Sequence, residues 1–272
     1  ICGELVCRPL FPSKHLEKER GIILEELKMY EDKPEVVAAQ KFDELLYSNP
    51  GLGRDIIGTR DSLKKMSIEK MKGFWKDFYV PESVVVGVAG GIDSHEKFVE
   101  LVREKFSELT ESSKKMPRTK LGDFSFEKSS VSLVNRPTEQ AHLVLGVGSL
   151  KRGVKERYAL SVMNSVLGGM ATSRFFQKIR EEMGLCYYIR SGADAFEETG
   201  SWGVAAGVKK EDTERVVKAI IKEMDDFVGK NKPTKKEVER AKTNMIGNIK
   251  LKMESSSDEE GRVVSGLVLE NR

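Results

Sequence analysis

Histidine is scarce in this sequence of 272 residues, with only three present, and they are far apart: His15, His95 and His142. No second histidine follows any of them at i+4, and neither HExxH nor HxxEH occurs. A catalytic zinc site needs about three protein ligands. The sequence as it stands therefore cannot assemble a usual catalytic zinc site.

Cysteine is equally scarce, and the three residues, Cys2, Cys7 and Cys186, lack the spacing of metal ligands. Their odd number and wide separation exclude a disulfide framework and a zinc ribbon as credible interpretations. A reducing compartment fits this usage best, and we therefore predict a cytoplasmic location.

Long apolar runs and an excess of one charge are also missing. The longest apolar run, around residues 84–89, is too short to span a bilayer. The 46 Lys and Arg residues balance 43 Asp and Glu residues, and the charges are interleaved. We predict neither a membrane nor a nucleic acid as a partner.

The residues that are present indicate an α+β fold with two domains. Helical periodicity at 14–31 and 94–109 and a β-branched run at 83–90, typical of a strand, precede a polar, proline-bearing stretch. Strands and helices alternate again after it, with strands predicted at 130–135 and 141–149 and a helix at 212–229 among them. We predict the later part of a first domain at 1–112, a linker at 113–122 and a second domain at 123–272. Both ends of the sequence fall next to apolar-periodic segments, which predicts a piece of a longer chain with the first domain incomplete and the second truncated at its C-terminus.

Helix 14–31 carries the most informative pattern. On a helical wheel, Glu19 and Glu26 lie about 20° apart and within the apolar stripe that includes Ile23 and Tyr30. A carboxylate on a buried face must be paired, hydrogen-bonded or bound to a metal. Buried salt bridges and a metal site remain equal alternatives on this pattern, whereas Glu25 is expected to face solvent.

A second constellation lies in residues 164–188. Gly168-Gly169 precedes an amphipathic helix at 173–183, Gly184 ends that helix, and Tyr187 follows in a strand seven residues after Arg180. A glycine-rich loop before a helix can bind phosphate, although no Walker or dinucleotide spacing is present. An arginine and a tyrosine near buried surface, such as Arg180 and Tyr187, more often have a structural role than a catalytic one.

Several segments, in order along nearly the whole chain, resemble the pitrilysin/insulinase family of zinc metallopeptidases, and most of all its bacterial processing protease and mitochondrial processing peptidase branch. They are Glu17–Pro34, Gly51–Gly58, Phe78–Pro81, Val85–Ile92, Leu167–Arg174, Ile179–Tyr187 and Met253–Asp258. The resemblance implies two related α/β-sandwich domains, with the zinc site in the first (1–112) and the substrate contacts in the second (123–272). It also implies a zinc-dependent endopeptidase that hydrolyses peptides or unfolded polypeptides.

The resemblance also implies roles for four residues. Glu26 matches the family's distal zinc ligand, and Glu19 matches the acidic residue that accompanies it. Arg180 and Tyr187 match the arginine and tyrosine that contact the substrate and the developing oxyanion. No residue is assigned to an organic cofactor.

The family's HxxEH should precede the distal Glu by several dozen residues, but only 25 residues precede Glu26. The sequence is therefore either a piece of an active zinc protease or a non-catalytic subunit or scaffold of the same family. The retained Glu19, Glu26, Arg180 and Tyr187 favour the enzyme. We expect Zn²⁺ in the full-length protein and none in this chain, which alone should be inactive. The expected partners are a peptide substrate and either a second copy or the missing N-terminal segment.

Overall fold

The computed structural model describes residues 1–47, 51–111 and 129–270. These residues form two compact units. Among the described residues, the first unit takes 1–27, 57–111 and 250–270, and the second takes 28–47, 51–56 and 129–249. The predicted linker at 113–122 lies outside the described residues, and the predicted domain boundaries stay a prediction.

Helices make up most of the described structure. They are α1 (Cys2–Cys7), α2 (Ser13–Glu31), α3 (Pro34–Leu46), α4 (Arg60–Lys64), α5 (Ile68–Phe78), α6 (His95–Phe106), α7 (Arg157–Leu167), a π-helix (Phe175–Glu182), α8 (Thr213–Val228), α9 (Lys235–Lys252) and α10 (Ser256–Glu270), with 3₁₀ turns at Pro81–Ser83 and Lys210–Asp212. None of the described helices combines the length and the apolar character needed to cross a bilayer.

The first unit contains helices and no strand among its described residues. Hydrogen bonds from side chains to main-chain carbonyls connect segments that are distant in sequence. The Trp75 indole N–H donates to the Val6 carbonyl at 2.7 Å. The Arg20 guanidinium donates to the Lys64 and Met66 carbonyls at 2.7 and 2.9 Å, at the C-terminal end of α4.

The prediction of a strand at 83–90 is wrong. Residues 84–89 are irregular, and Val85, Val86 and Val88 are each more than 40% exposed. The strand predicted at 130–135 is also wrong, because those residues are irregular too. β-branched composition favours an extended backbone, but a strand exists only where a neighbour takes up its N–H and C=O groups.

The second unit is built on a three-stranded antiparallel sheet. Its strands are β1 (Gln140–Ser149), β2 (Cys186–Ala195) and β3 (Gly200–Lys209), in the order β1-β3-β2. Together with the surrounding helices, this sheet confirms the predicted α+β class.

The main hydrophobic core covers one face of that sheet. Alternate residues of β3, Val204, Ala206 and Val208, are fully buried there. The π-helix and α8 contribute their apolar sides to the same core, through Phe175, Ile179, Val216 and Ile220.

The opposite face of the sheet carries α3, whose Phe42 ring lies near Gly146 of β1 and Gly203 of β3. The Phe42 ring of α3 occupies the space above β1, where a Cβ built on Gly146 would lie 2.6 Å from the ring. Only glycine permits this approach of the helix to the strand.

Candidate functional site

Arg180 lies on the π-helix Phe175–Glu182, which the sequence had predicted only as a helix at 173–183. A π-helix closes its hydrogen bonds at i→i+5, and such segments are rare and frequent at functional sites. The buried Phe175 and Ile179 anchor this helix in the core. Arg180 follows Ile179 and is half-buried, so its guanidinium lies at the rim of the core.

Tyr187 lies on a β-bulge at the start of β2. Cys186 is opposite Val208 and Tyr188 is opposite Gly207, so Tyr187 is the extra residue between two consecutive pairs. Gly184, which adopts a φ of +62°, turns the chain from the π-helix into the strand. A bulge redirects a side chain, and the Tyr187 side chain is 52% exposed.

Arg180 and Tyr187 are in direct contact. The Arg180 Nε–H donates to the Tyr187 main-chain carbonyl at 3.0 Å. The guanidinium carbon lies 4.5 Å from the centre of the Phe176 ring, a cation–π contact that fixes the plane of the group. The structure thus brings together the two second-domain residues that the family resemblance had singled out, whereas their catalytic roles stay a prediction.

A pair formed by His142 and Tyr188 was not predicted from the sequence. The Tyr188 hydroxyl and His142 Nδ1 share a hydrogen bond of 3.0 Å across the sheet. Burial raises the pKa of Tyr188, the Glu35 carboxylate raises it further, and Arg190 lowers it. A tyrosine and a histidine on different strands, 46 residues apart, leave no spacing signal by which sequence reasoning could have joined them.

Gly168 and Gly169 serve close packing. Both of their N–H groups donate to the Asn164 carbonyl at 2.9 Å, so neither is directed at a ligand. A Cβ on Gly168 would lie 2.5 Å from Ser191 Oγ and 2.8 Å from the Ser191 main-chain nitrogen. The end of α7 therefore lies directly on β2, and this geometry disfavours the phosphate-binding hypothesis.

Glu19 and Glu26 are both exposed, so the expectation that they face a buried site is wrong for this structure. The buried stripe of α2 is centred near Leu27, which is only 5% exposed. Leu27 lies about 80° around the helix from Glu19 and about 100° from Glu26, which places both carboxylates at the edge of the stripe. Glu25 is exposed, as the wheel predicted.

A zinc ion does not fit the described residues by themselves. No three His, Cys, Asp or Glu side chains within 1–47, 51–111 and 129–270 are grouped so that they could hold a metal. His15 and His95 are exposed, and His142 Nδ1 is engaged with Tyr188. Within these ranges Glu26 belongs to no group of three or more potential ligands, and a catalytic zinc site needs about three protein ligands. Its assignment as a ligand stays a prediction.

Arg174, six residues before Arg180, is a buried cation for which no role was predicted from the sequence. Its guanidinium donates to both carboxylate oxygens of Glu237, at 2.7 and 3.0 Å, and to Glu223 at 3.3 Å. It also donates to the Asn231 carbonyl at 2.6 Å. Arg174 thereby joins the start of the π-helix to α8, α9 and the segment between them.

Comparison with known proteins identifies the family. The family described as "Peptidase M16 inactive domain" matches residues 65–245, about two thirds of the chain. The chain belongs to the peptidase M16 family. The resemblance to zinc metallopeptidases is confirmed at the level of this family.

Relatives and solved structures agree with the M16 assignment. A Bacillus subtilis protein named "uncharacterized zinc protease YmxG" is 31% identical over 262 residues, 96% of this chain and 62% of that protein. The crystal structure of a peptidase M16 inactive domain from Pseudomonas fluorescens has a TM-score of 0.86 at 22% identity, and covers 97% of this chain and 62% of that one. A protease from Helicobacter pylori has a TM-score of 0.87 at 20% identity, with 94% and 63% covered.

The two structural matches, at 22% and 20% identity, show that this M16 chain has the same fold as those proteins. The chain spans about three fifths of the length of the curated relatives that it matches.

Proposed function

We propose that the whole protein is a zinc-dependent endopeptidase that hydrolyses peptides or unfolded polypeptides, similar to the processing peptidase branch of the family. In this proposal the chain supplies Arg180 and Tyr187 as donors to the substrate. The observation that carries the proposal is the contact between these residues, because it binds the guanidinium to the main chain of the residue that bears the exposed phenol. The relatives named zinc proteases support the metal dependence.

The chemistry available to this pair is hydrogen-bond donation to an oxygen that gains negative charge. The Arg180 Nε–H is engaged with the Tyr187 carbonyl, and the Phe176 ring supports the guanidinium plane. Arg180 Nη1 also forms an ion pair with Glu181 at 3.4 Å, in which both side chains are partly exposed. In the proposal, the guanidinium and the Tyr187 hydroxyl donate to a substrate carbonyl. Donors held in place before the reaction stabilise charge that develops in the transition state without reorganising.

Glu26 and Glu19 enter the proposal as a metal ligand and its acidic companion in the whole protein. A second copy or an N-terminal segment would supply the remaining ligands. We place this activity in the cytoplasm, with a peptide as the partner that occupies the site.

A non-catalytic subunit or scaffold is the second candidate. The description of the matching family as an inactive domain favours this candidate. The two candidates differ in a property that can be measured, because a scaffold keeps its fold and assembly but hydrolyses nothing.

The deciding experiment measures cleavage of a dye-labelled unfolded casein by the whole protein, before and after zinc removal with 1,10-phenanthroline. We expect cleavage that the chelator abolishes and added Zn²⁺ restores. Glu26→Gln should lower bound zinc and activity together. Glu25→Gln is the matched control, since Glu25 is the exposed neighbour on the same helix. A folded whole protein that cleaves nothing with zinc present would establish the scaffold instead.

A further inference from the structure

Gly207 separates the two members of the His142–Tyr188 pair. In the sheet register, His142 of β1 and Tyr188 of β2 are both opposite Gly207 of the central strand β3. A Cβ on Gly207 would lie 2.4 Å from Cε1 of the Tyr188 ring. The ring therefore lies directly across the glycine, and its hydroxyl reaches a histidine two strands away.

The bulge determines which side chain enters the core at the start of β2. Cys186 is opposite the fully buried Val208 and is itself 9% exposed. Without the extra residue, Tyr187 would pair with Val208, and its phenol would be directed at the core face of the sheet. The bulge places the smaller cysteine there and leaves Tyr187 on the surface.

Tyr187 is thus held at three points. Cys186 is fixed in the core on one side, and Tyr188 is fixed across Gly207 on the other. The Tyr187 carbonyl accepts from Arg180. Cys186 restrains the chain before Tyr187, and Arg180 restrains the Tyr187 carbonyl. Tyr188 therefore provides the restraint on the side that follows the bulge.

We propose that Tyr188 and His142 are positioning residues that fix the orientation of the Tyr187 side chain, with Gly207 providing the space for their contact. The consequence for catalysis rests on the proposed function, whereas the orientation of Tyr187 does not. The competing explanation is that the bond between Tyr188 and His142 only stabilises the sheet. In that case its loss would lower stability and leave Tyr187 in place.

The first test follows Tyr187 directly by ¹⁹F NMR. The whole protein is labelled with 3-fluorotyrosine, and the Tyr187 resonance is assigned with Tyr187→Phe. Tyr188→Phe removes one hydroxyl and keeps the ring over Gly207, and it should shift or broaden the Tyr187 resonance. Tyr79→Phe, at a 43% exposed tyrosine of the first unit, is the matched control and should leave that resonance unchanged.

His142→Asn provides the conservative comparison, because the asparagine carbonyl can accept from Tyr188 close to the position of Nδ1. We expect it to keep the Tyr187 resonance near that of the unsubstituted protein, whereas His142→Leu should reproduce the effect of Tyr188→Phe. A Tyr187 resonance that is unchanged in both Tyr188→Phe and His142→Leu, with the protein folded, would overturn the positioning role.

The second test measures cleavage kinetics of the same variants. Displacing a catalytic donor should lower kcat by about 10- to 100-fold, and KM should change little because ground-state binding is retained. A KM that rises in Tyr188→Phe while kcat is constant would contradict the positioning of a transition-state donor. Absence of cleavage by the unsubstituted protein would overturn the proposed function alone, since the NMR measurement decides the orientation independently.

Discussion

The guanidinium of Arg174 binds both carboxylate oxygens of Glu237, through Nε at 2.7 Å and Nη2 at 3.0 Å. This forked contact joins the start of the π-helix to the first turn of α9, where Glu237 also caps the helix by accepting from the Thr234 N–H at 2.7 Å. Bidentate contacts of this kind combine geometric specificity with charge-assisted hydrogen bonds. The helix that carries Arg180 is therefore anchored at its first residues as well as in the core.

Arg174→Lys should destabilise the protein by about 3 kcal/mol, because an ammonium cannot make the forked contact, and the buried Glu223 and the half-buried Glu237 each lose hydrogen bonds. Urea denaturation at pH 7 measures the change. Arg215→Lys is the control, at an exposed ion pair with Asp212, and should change the free energy of unfolding by no more than about 0.5 kcal/mol. Equal effects of the two substitutions would show that the Arg174 contacts contribute little.

Stability should depend on pH through Glu237. Hydrogen bonds from Arg174 hold the pKa of this carboxyl at about 2, below its ordinary value of 4.5. Because the folded-state pKa is depressed, the stabilisation is complete above about pH 4.5 and is lost as the pH falls toward 2. Glu237→Gln should cost about 2 kcal/mol at pH 7, a value reduced for partial exposure.

Urea midpoints at pH 7, 5 and 3 test this dependence. The difference in urea midpoint between the unsubstituted protein and Glu237→Gln should become smaller from pH 5 to pH 3. A difference in midpoint that stays constant over this range would show that Arg174 does not stabilise the ionised Glu237 carboxylate.

Gly168→Ala should destabilise the second unit by about 1–3 kcal/mol, since the added methyl meets the Ser191 main chain and cannot be accommodated without moving a strand. Gly247→Ala is the matched control within α9, because nothing lies within 4 Å of the position that a Cβ would take there. Replacing that helical glycine should stabilise by about 0.5–1 kcal/mol. Thermal unfolding of the two variants should therefore shift Tm in opposite directions.

Tyr187→Phe should lower kcat by about 10²–10³-fold with little change in KM, if its hydroxyl donates to the developing oxyanion. The fold should be unaffected because the ring is 52% exposed and lies at a bulge. Single-turnover cleavage by the whole protein measures the effect. A near-normal rate would show that Tyr187 only covers the strand.

Helix positions in this fold follow from the sequence, because an apolar stripe and its end signals are local properties. The predicted 14–31 and 212–229 agree with Ser13–Glu31 and Thr213–Val228 within one residue at each end. The π-helical hydrogen bonds around Arg180 and the bulge at Tyr187 were not predicted. Both arise from one extra residue that the surrounding core accommodates, and neither changes the composition of its segment.

The predictions that proved wrong depend on which other segments a residue contacts, and not on its local structural preference. The valines at 84–88 have strand character, yet their pairing depends on another part of the chain. The wheel placed Glu19 and Glu26 at the centre of the apolar stripe, but it could not tell that the buried side of α2 is centred on Leu27. Tertiary contacts decide which edge of an amphipathic stripe is covered, and a single helix does not contain that information.

The exposed valines of the irregular run at 84–89 have a practical consequence for work with the isolated chain. Val85, Val86 and Val88 present an exposed, uncharged and β-branched surface, which is the kind of segment on which chains self-associate at high concentration. Val86→Lys should raise the concentration at which light scattering first increases, with unchanged circular dichroism. Residues 84–89, which are distant in sequence from Arg180 and Tyr187, would then limit the concentration at which the isolated chain can be stored and measured.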